Sequence, residues 1–269
     1  MIKKIIKYLV DNQKNLRDFV AILLFKANII PKEFQGRARS IYLTKKYDKE
    51  FKNLSLNYDN LGFHSLSPMP SENFLEKYYK DTYWQSRTDK DYPIRLRDIE
   101  HYKLLKKRFP DFDNSRKNIL NFGAGHGGLS FFLHVAKHQI YNFEPGGIKE
   151  YFSERWESIE KIDDLNLKFD LIYGSHTLEH VQDIKKTLKI LKNISHEKTI
   201  FFFEVPNCYS KNTLKVEPPH TYYFTRKFFK NAFTSYDYCK TFRNYTEQKD
   251  DEGEVIVFLS QSQINEKII

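Results

Sequence analysis

The sequence predicts a doubly wound α/β domain, and three observations support the prediction. A glycine-rich turn, Gly123-Ala-Gly-His-Gly-Gly128, joins a short apolar run, Ile119 to Phe122, to a stretch of helical character. Beyond it, apolar runs of strand length alternate with runs whose apolar residues recur every three or four positions. That alternation implies a mostly parallel sheet covered by helices on both faces. Lastly, two apolar runs flank the polar Lys249-Asp-Asp-Glu-Gly253 turn and add an antiparallel hairpin near the C-terminal end.

Taken in order, residues 1–70 read as a mainly helical, basic N-terminal extension. A helix runs to about residue 30 and stops before Pro31. A polar, basic stretch with scattered aromatics follows and closes in Ser67-Pro-Met-Pro70, a linker signal. Residues 71–117 read as a helical lead-in able to act as a lid over the glycine-rich turn. Ser71 caps a helix from Glu72 to about Lys80. A second helix, near Ile94 to Phe109, places Leu96, Ile99, Tyr102 and Leu105 at helical spacing until Pro110 ends it.

Residues 118–269 form the core domain. The strand at Ile119–Phe122, the turn and a helix from near Gly127 come first, then a strand at Ile140–Phe143. A short helix after Pro145, a weak strand near Glu154–Ser158 and a buried-looking strand at Phe169–Tyr173 continue the pattern. Val181, Ile184, Leu188, Leu191 and Ile194 mark one apolar helical face. Thr199–Val205 is the next strand, broken at Pro206, and its phenylalanines are core. Thr225 caps a helix through Phe233, and strands near Ser235–Tyr245 and Glu254–Leu259 close the chain.

Composition narrows the class. Hydrophobic residues at 40% and charged residues at 29% describe a soluble globular chain, with length enough to bury a core. The formal charge of +9 favours anionic partners such as phosphorylated substrates, nucleic acid or an acidic membrane surface. Two isolated cysteines, Cys208 and Cys239, exclude a disulfide scaffold and fit a reducing cytoplasm. The run Phe19–Phe25 is too short to span a bilayer, and no small-residue cleavage site follows it. Ile2, Ile5, Ile6 and Leu9 share one helical face opposite lysines. That face is expected to pack on its own protein or on a second copy, as a homodimer; peripheral contact with an anionic membrane is the alternative.

Gly123, Gly125 and Gly128 form G-x-G-x-x-G, and Glu144 follows Gly123 by about 21 residues, the interval of a ribose-binding carboxylate. Glycines permit a tight turn and close approach of backbone N–H groups to a ligand, and the helix N-terminus adds partial positive charge. An acid at the tip of the next strand can accept both hydroxyls of a ribose. The expectation is a nucleoside cofactor.

Four pieces in order, Asn121–Gly128, Phe143-Glu-Pro145, Phe169–Val181 and Phe203-Glu-Val-Pro-Asn207, resemble the class I S-adenosylmethionine-dependent methyltransferases. The likeness covers roughly residues 118–260 and implies their Rossmann-like sheet. Leu178-Glu-His-Val181 is similar to the subgroup that methylates small molecules, sugars and quinone precursors. Some sugar C-methyltransferases of that subgroup have a zinc-binding cysteine cluster that is missing here, so the resemblance favours O- or N-transfer. It implies S-adenosyl-L-methionine as cofactor and S-adenosyl-L-homocysteine as product. Phe122, Gly123, Ala124 and Gly125 would hold the methionine end, Glu144 the ribose and Pro145 the adenine face. Ser175 and His176 would lie near the sulfonium, and Glu157 or Ser158 near the adenine amino group.

His176, Glu179 and His180 are spaced by three and one, so a helical start to the segment would set them side by side. Methyl transfer needs alignment of donor and acceptor and removal of a proton from the acceptor. The expected base is His180, or His176 if the turn points it inward, with Glu179 orienting the imidazole. On the substrate side, His220, Tyr222 and Tyr223 can reach an acceptor. Tyr83, Trp84 and Arg87 can close over the site, because aromatic faces attract a sulfonium and arginine pairs with its carboxylate. Trp84 is placed with the substrate residues. No metal ligand is assigned. The leading function is O-methylation of a sugar or sugar-nucleotide for a bacterial capsule or lipopolysaccharide. The alternatives are an NAD-dependent enzyme sharing the glycine pattern and an RNA-binding or RNA-modifying methyltransferase, against which no aromatic RNA platform or recognition helix is found.

Overall fold

The structure, a computed structural model, describes residues 43–83, 95–125, 127–145, 157–159, 161–162, 165–209 and 214–269. The expected N-terminal helix and the helix after Pro145 lie outside those residues. Contacts divide the chain into two units, residues 1–54 with 71–91, and residues 55–70 with 92–269.

The first unit is described over residues 43–54 and 71–83. A helical run ends at residue 51, and α1 (Glu72–Tyr78) continues into one wider π-helical turn, Tyr79–Tyr83. Ser71 caps α1 by accepting the Phe74 N–H, as the sequence predicts. Tyr47, Phe51, Phe74 and Tyr78 pack edge-on or tilted at centroid distances of 5.4–5.6 Å.

The second unit holds an eight-stranded sheet. Its strands are β3 (Asn118–Phe122), β4 (Gln139–Phe143), β5 (Glu157–Ile159), β6 (Phe169–Ser175), β7 (Ser195–Pro206), β9 (Cys239–Arg243), β10 (Thr246–Gln248) and β11 (Val255–Gln261). Their spatial order is β10-β9-β11-β7-β6-β3-β4-β5. Pairings from β5 to β7 are parallel, while β11 runs antiparallel to both β7 and β9. The chain therefore leaves β3 toward β4 on one side and returns to β6 on the other. This reversal opens a crevice at the carboxyl ends of the strands.

Strand periodicity splits the core into two layers. Phe201 and Phe203 on β7 face one side with Leu120, Ile172 and Phe258, beneath α4 (Ile184–Asn193) and α5 (Arg226–Ala232). Phe202 faces the other side with Ile119, Leu171 and Val257, beneath α2 (Leu96–Arg108) and α3 (Gly128–Val135). Every residue of β7 from Thr199 to Val205 is buried, which explains the apolar run Ile200–Phe203.

Several local readings need correction. Residues 55–70, expected in the extension, contain a hairpin of β1 (Ser55–Asp59) and β2 (Phe63–Ser67) that pairs with β8 (Tyr222–Phe224) in the second unit. On α2, Leu96 is 56% exposed, and the buried face is Asp98, His101 and Leu105. Val181 precedes α4, which is capped by Asp183 accepting the Lys186 N–H. Thr225 sits at the start of α5, but its hydroxyl donates to the Gly62 carbonyl at 2.7 Å instead of capping. The first C-terminal strand is shorter than expected, because Asn244 and Tyr245 at φ 49° and 63° turn it into the β9–β10 hairpin.

Phe258 is fully buried, with Phe229 stacked at 5.1 Å and Phe233 at 4.5 Å. Phe258→Ala is expected to cost about 3–5 kcal/mol of stability. Denaturant titration followed by circular dichroism checks this value.

Candidate active site

The glycine turn is tied to the strand beside it. Gly123 and Ala124 both donate their N–H groups to the Phe143 carbonyl, at 2.8 and 3.0 Å. Beneath the turn, Asn121, Ser130 and Asn142 form a buried hydrogen-bonded chain linking β3, α3 and β4. Gly123 adopts φ +71°, and a Cβ there would meet the Thr177 hydroxyl at 2.1 Å. Thr177 donates that hydroxyl to the Phe122 carbonyl, joining the ends of β3 and β6.

Gly125 differs. Its φ is +52°, yet a Cβ there would meet nothing within 4 Å, and its N–H donates to Glu144 Oε2 at 2.9 Å. A left-handed glycine facing open space, with a carboxylate at its amide, fits a nucleoside cofactor with its ribose at Glu144. Phe122 and Ala124 are buried, with Phe122 stacked on Phe143 at 5.6 Å, so they contribute backbone and packing. Pro145 lies exposed in the turn beyond β4. The side chains of Tyr83, Trp84, Arg87, Glu157 and Ser158 lie outside the described residues.

At the carboxyl ends of β6 and β7 the side chains converge on Glu204, which the sequence reading left unassigned. It is 4% exposed. His101 Nε2 donates to Glu204 Oε2 at 2.9 Å, and His101 Nδ1 lies 2.9 Å from the Tyr173 hydroxyl. Oε1 receives His176 Nε2 at 3.0 Å and the Ser175 hydroxyl at 3.2 Å, with Arg97 Nη1 at 3.6 Å. Burial alone would raise the Glu204 pKa, but the hydrogen bonds from His101 and His176 hold it well below the ordinary carboxylate range. One signal was legible: a glutamate inside an otherwise apolar strand must find partners. His101 gave none, because α2 was read by its apolar spacing.

His176 adopts φ +53° and lies between two carboxylates, with Nε2 at Glu204 and Nδ1 3.0 Å from Glu179 Oε1. Both nitrogens must donate, so the ring is an imidazolium. Burial opposes that charge, but the hydrogen bonds to Glu179 and Glu204 outweigh it and push the pKa up to about 9. A ring protonated on both nitrogens cannot accept a proton.

His180 contrasts with it. Burial holds its pKa down at about 4 despite Glu179, and the neighbouring His220 and His176 add to the lowering. Its Nε2 is 3.8 Å from Glu179 Oε1, and its ring lies 4.9 Å from that of His220. Glu179 is almost wholly buried; burial opposes its charge, yet the bond from His176 keeps it ionised and its pKa low. His180 is thus the neutral imidazole of the pair through the neutral range.

His220 reaches the cluster because Thr221 donates its N–H and hydroxyl to the Glu179 carbonyl at 2.8 and 3.0 Å. The two tyrosines expected at the acceptor are engaged in the scaffold. The Tyr222 hydroxyl accepts the Ile184 N–H and donates to the Gln182 carbonyl, pinning the start of α4. Tyr223 accepts the Glu217 N–H at 2.7 Å and is 7% exposed. Burial pushes the Cys208 thiol up to about 12, which leaves it unreactive at neutral pH. Among the described residues, Glu179, His180 and His220 are the one trio whose metal-ligating atoms lie within 4.8 Å of one another.

An open parallel sheet with this strand order, a glycine turn and a ribose-length acid defines a class I S-adenosylmethionine-dependent methyltransferase. A methyltransferase-domain family model matches residues 95–240, more than half of the chain, and the chain belongs to that family. The NAD-dependent alternative, which shares only the glycine pattern, is thereby set aside. No curated protein matches. Solved structures similar to this chain include an S-adenosylmethionine-dependent methyltransferase from Clostridium acetobutylicum, at 14% identity over 62% of this chain and 91% of that one, TM-score 0.45. The 1,6-didemethyltoxoflavin-N1-methyltransferase of Burkholderia thailandensis aligns at 12% identity over 78% and 99%, TM-score 0.49. The PH0226 protein of Pyrococcus horikoshii aligns at 12% over 68% and 98%, TM-score 0.48. No helix among the described residues is long and apolar enough to cross a membrane.

Because the folded-state pKa of His176 lies above that of a free imidazole, its stabilisation is complete below about pH 6.5 and fades as pH rises through about 9. The stability gap between wild type and His176→Gln should therefore narrow between those values. Urea denaturation midpoints across that range measure the gap; a constant gap would contradict the imidazolium assignment.

Proposed function

We propose that the protein transfers a methyl group to a hydroxyl of a sugar or sugar-nucleotide, in assembly of a bacterial capsule or lipopolysaccharide. The observation behind this reading is the pairing of a neutral, partly exposed His180 with the ionised Glu179 just beyond the β6 end. The Leu178-Glu-His-Val181 resemblance and the +9 charge, suited to a phosphorylated acceptor, support it.

Bound S-adenosylmethionine supplies an electrophilic methyl group on a sulfonium. The Gly123–Gly125 turn would hold the methionine end of that cofactor and Glu144 its ribose, while Ser175 and His176 would line the approach from β6. In this reading His180, unprotonated at neutral pH, takes the acceptor proton. Glu179 fixes the turn and offsets the imidazolium that forms. His220, stapled beside His180 by Thr221, narrows the acceptor side.

The test is incubation with S-adenosylmethionine and a panel of nucleotide sugars and surface glycans, with mass spectrometry of the products. Gain of one methyl by a sugar hydroxyl supports the reading. Transfer confined to RNA, with strongly salt-dependent RNA binding, refutes it. His180→Ala should lower turnover about 10²–10⁴-fold while leaving S-adenosylhomocysteine affinity unchanged. Equal loss of both would remove the base assignment.

A further inference from the structure

We propose that the outer face of the β1-β2-β8 sheet is an extended acceptor subsite for a nucleoside diphosphate, an occupant that rests on the sugar-nucleotide reading above. Residues directly opposite on neighbouring antiparallel strands point to the same face of a sheet. The register sets Tyr58 opposite His64 and His64 opposite Tyr223, so these three rings share one face. The other face carries Phe63 and Phe224, both buried in the core. The shared face continues into the histidine cluster. Ring centroids lie 5.1 Å apart for Tyr58 and His64, 6.0 Å for Tyr223 and His220, and 4.9 Å for His220 and His180. A stripe of aromatic rings therefore joins His180 to Tyr58 on the β1 edge.

The far end of the stripe is exposed and cationic. Tyr58 is 50% exposed and Tyr209 is 55% exposed. Tyr209 stands near it: burial first, then the neighbouring Cys208 and Tyr58, push its phenol pKa up. Lys227 donates to the Tyr58 hydroxyl at 3.3 Å, with its ammonium 5.8 Å from that ring's centroid. Among the described residues it has no carboxylate partner, whereas its neighbour Arg226 is held by Asp251. His64 Nε2 is buried without a hydrogen-bond partner, an exception that a polar group of a bound ligand would remove. Aromatic faces beside an uncommitted ammonium match a ring joined to a phosphate. The base stacks and the phosphate meets the charge. A neutral glycan would use the rings and leave the cation idle.

The patch is fixed in advance by its backbone. The Gly62 carbonyl, in the hairpin turn, accepts the N–H and hydroxyl of Thr225 at 3.0 and 2.7 Å, and Asn231 donates to the Leu61 carbonyl at 3.0 Å. Gly62 adopts φ +103°, and a Cβ there would meet the Phe228 N at 2.5 Å. The hairpin and α5 are thus locked together, and Lys227 is set beside Tyr58. Preorganisation of this kind lowers the cost of binding. A diphosphate anchored there would direct its sugar along the stripe toward His220 and His180. Binding energy from that unreactive part of the acceptor would then position the reacting hydroxyl.

The experiment is calorimetry on the full chain with UDP and GDP, in saturating S-adenosylhomocysteine so that the crevice at the glycine turn is filled. We expect one equivalent of a diphosphate to bind, and uridine or pyrophosphate alone to bind more weakly. Lys227→Ala and, separately, Tyr58→Ala should each weaken binding about tenfold. Tyr58→Phe, which keeps the ring, should bind as the wild type does. S-adenosylhomocysteine affinity confirms that each variant is folded. A wild type that binds S-adenosylhomocysteine but neither diphosphate overturns the subsite, as does undiminished binding in either alanine variant. A nucleotide sugar methylated with the same KM by wild type and Lys227→Ala overturns the subsite alone. Diphosphate binding lost in both alanine variants, with no sugar methylated, supports the subsite and refutes the parent reading.

Discussion

A buried negative charge organises the reactive end of this molecule. Glu204 stands on β7, where Phe201, Phe202, Phe203 and Val205 are all fully buried. An ionised carboxylate in such surroundings is costly unless donors surround it. Those donors come from α2 and from the end of β6, so satisfying one residue holds α2 and the turn after β6 against the carboxyl end of β7. His176 is then held as a cation at positive φ, and its other nitrogen fixes Glu179. Glu179 in turn faces His180 and, through Thr221, receives His220. A chain of charge compensation thus runs from the core strand to His180 and His220.

The cofactor end obeys a different constraint. There the backbone leads: Gly123 passes too close to Thr177 for a side chain, and Gly125 turns left-handed into open space. Glu144 holds the Gly125 amide and presents its carboxylate at the tip of β4. The topological reversal between β4 and β6 brings the glycine turn beside the histidine cluster. Two histidines four residues apart consequently have opposite protonation. Paired carboxylates raise His176, and burial beside other imidazoles lowers His180.

The parts of the fold that were legible in the sequence were those whose signal is local. The glycine turn, the spacing to Glu144 and the apolar run of β7 each depend on neighbours in the chain. The β1–β2 hairpin was missed because its strands are short and its partner, β8, lies far downstream. The α2 face was misread because its buried positions include Asp98 and His101, which are satisfied by the Arg95 N–H and by Glu204 and not by apolar contacts. The same blindness applied to Glu204 itself. Tyr222 and Tyr223 looked like acceptor contacts, whereas their hydroxyls are taken by backbone groups that only the folded chain brings to them.

A crystal structure of the chain with S-adenosylhomocysteine tests the central claim most directly. The account predicts both ribose hydroxyls on the Glu144 carboxylate, with the thioether sulfur at the β6 end facing Ser175 and the Glu204–His176 pair. A nucleoside bound away from Glu144, or a sulfur remote from that pair, would contradict it.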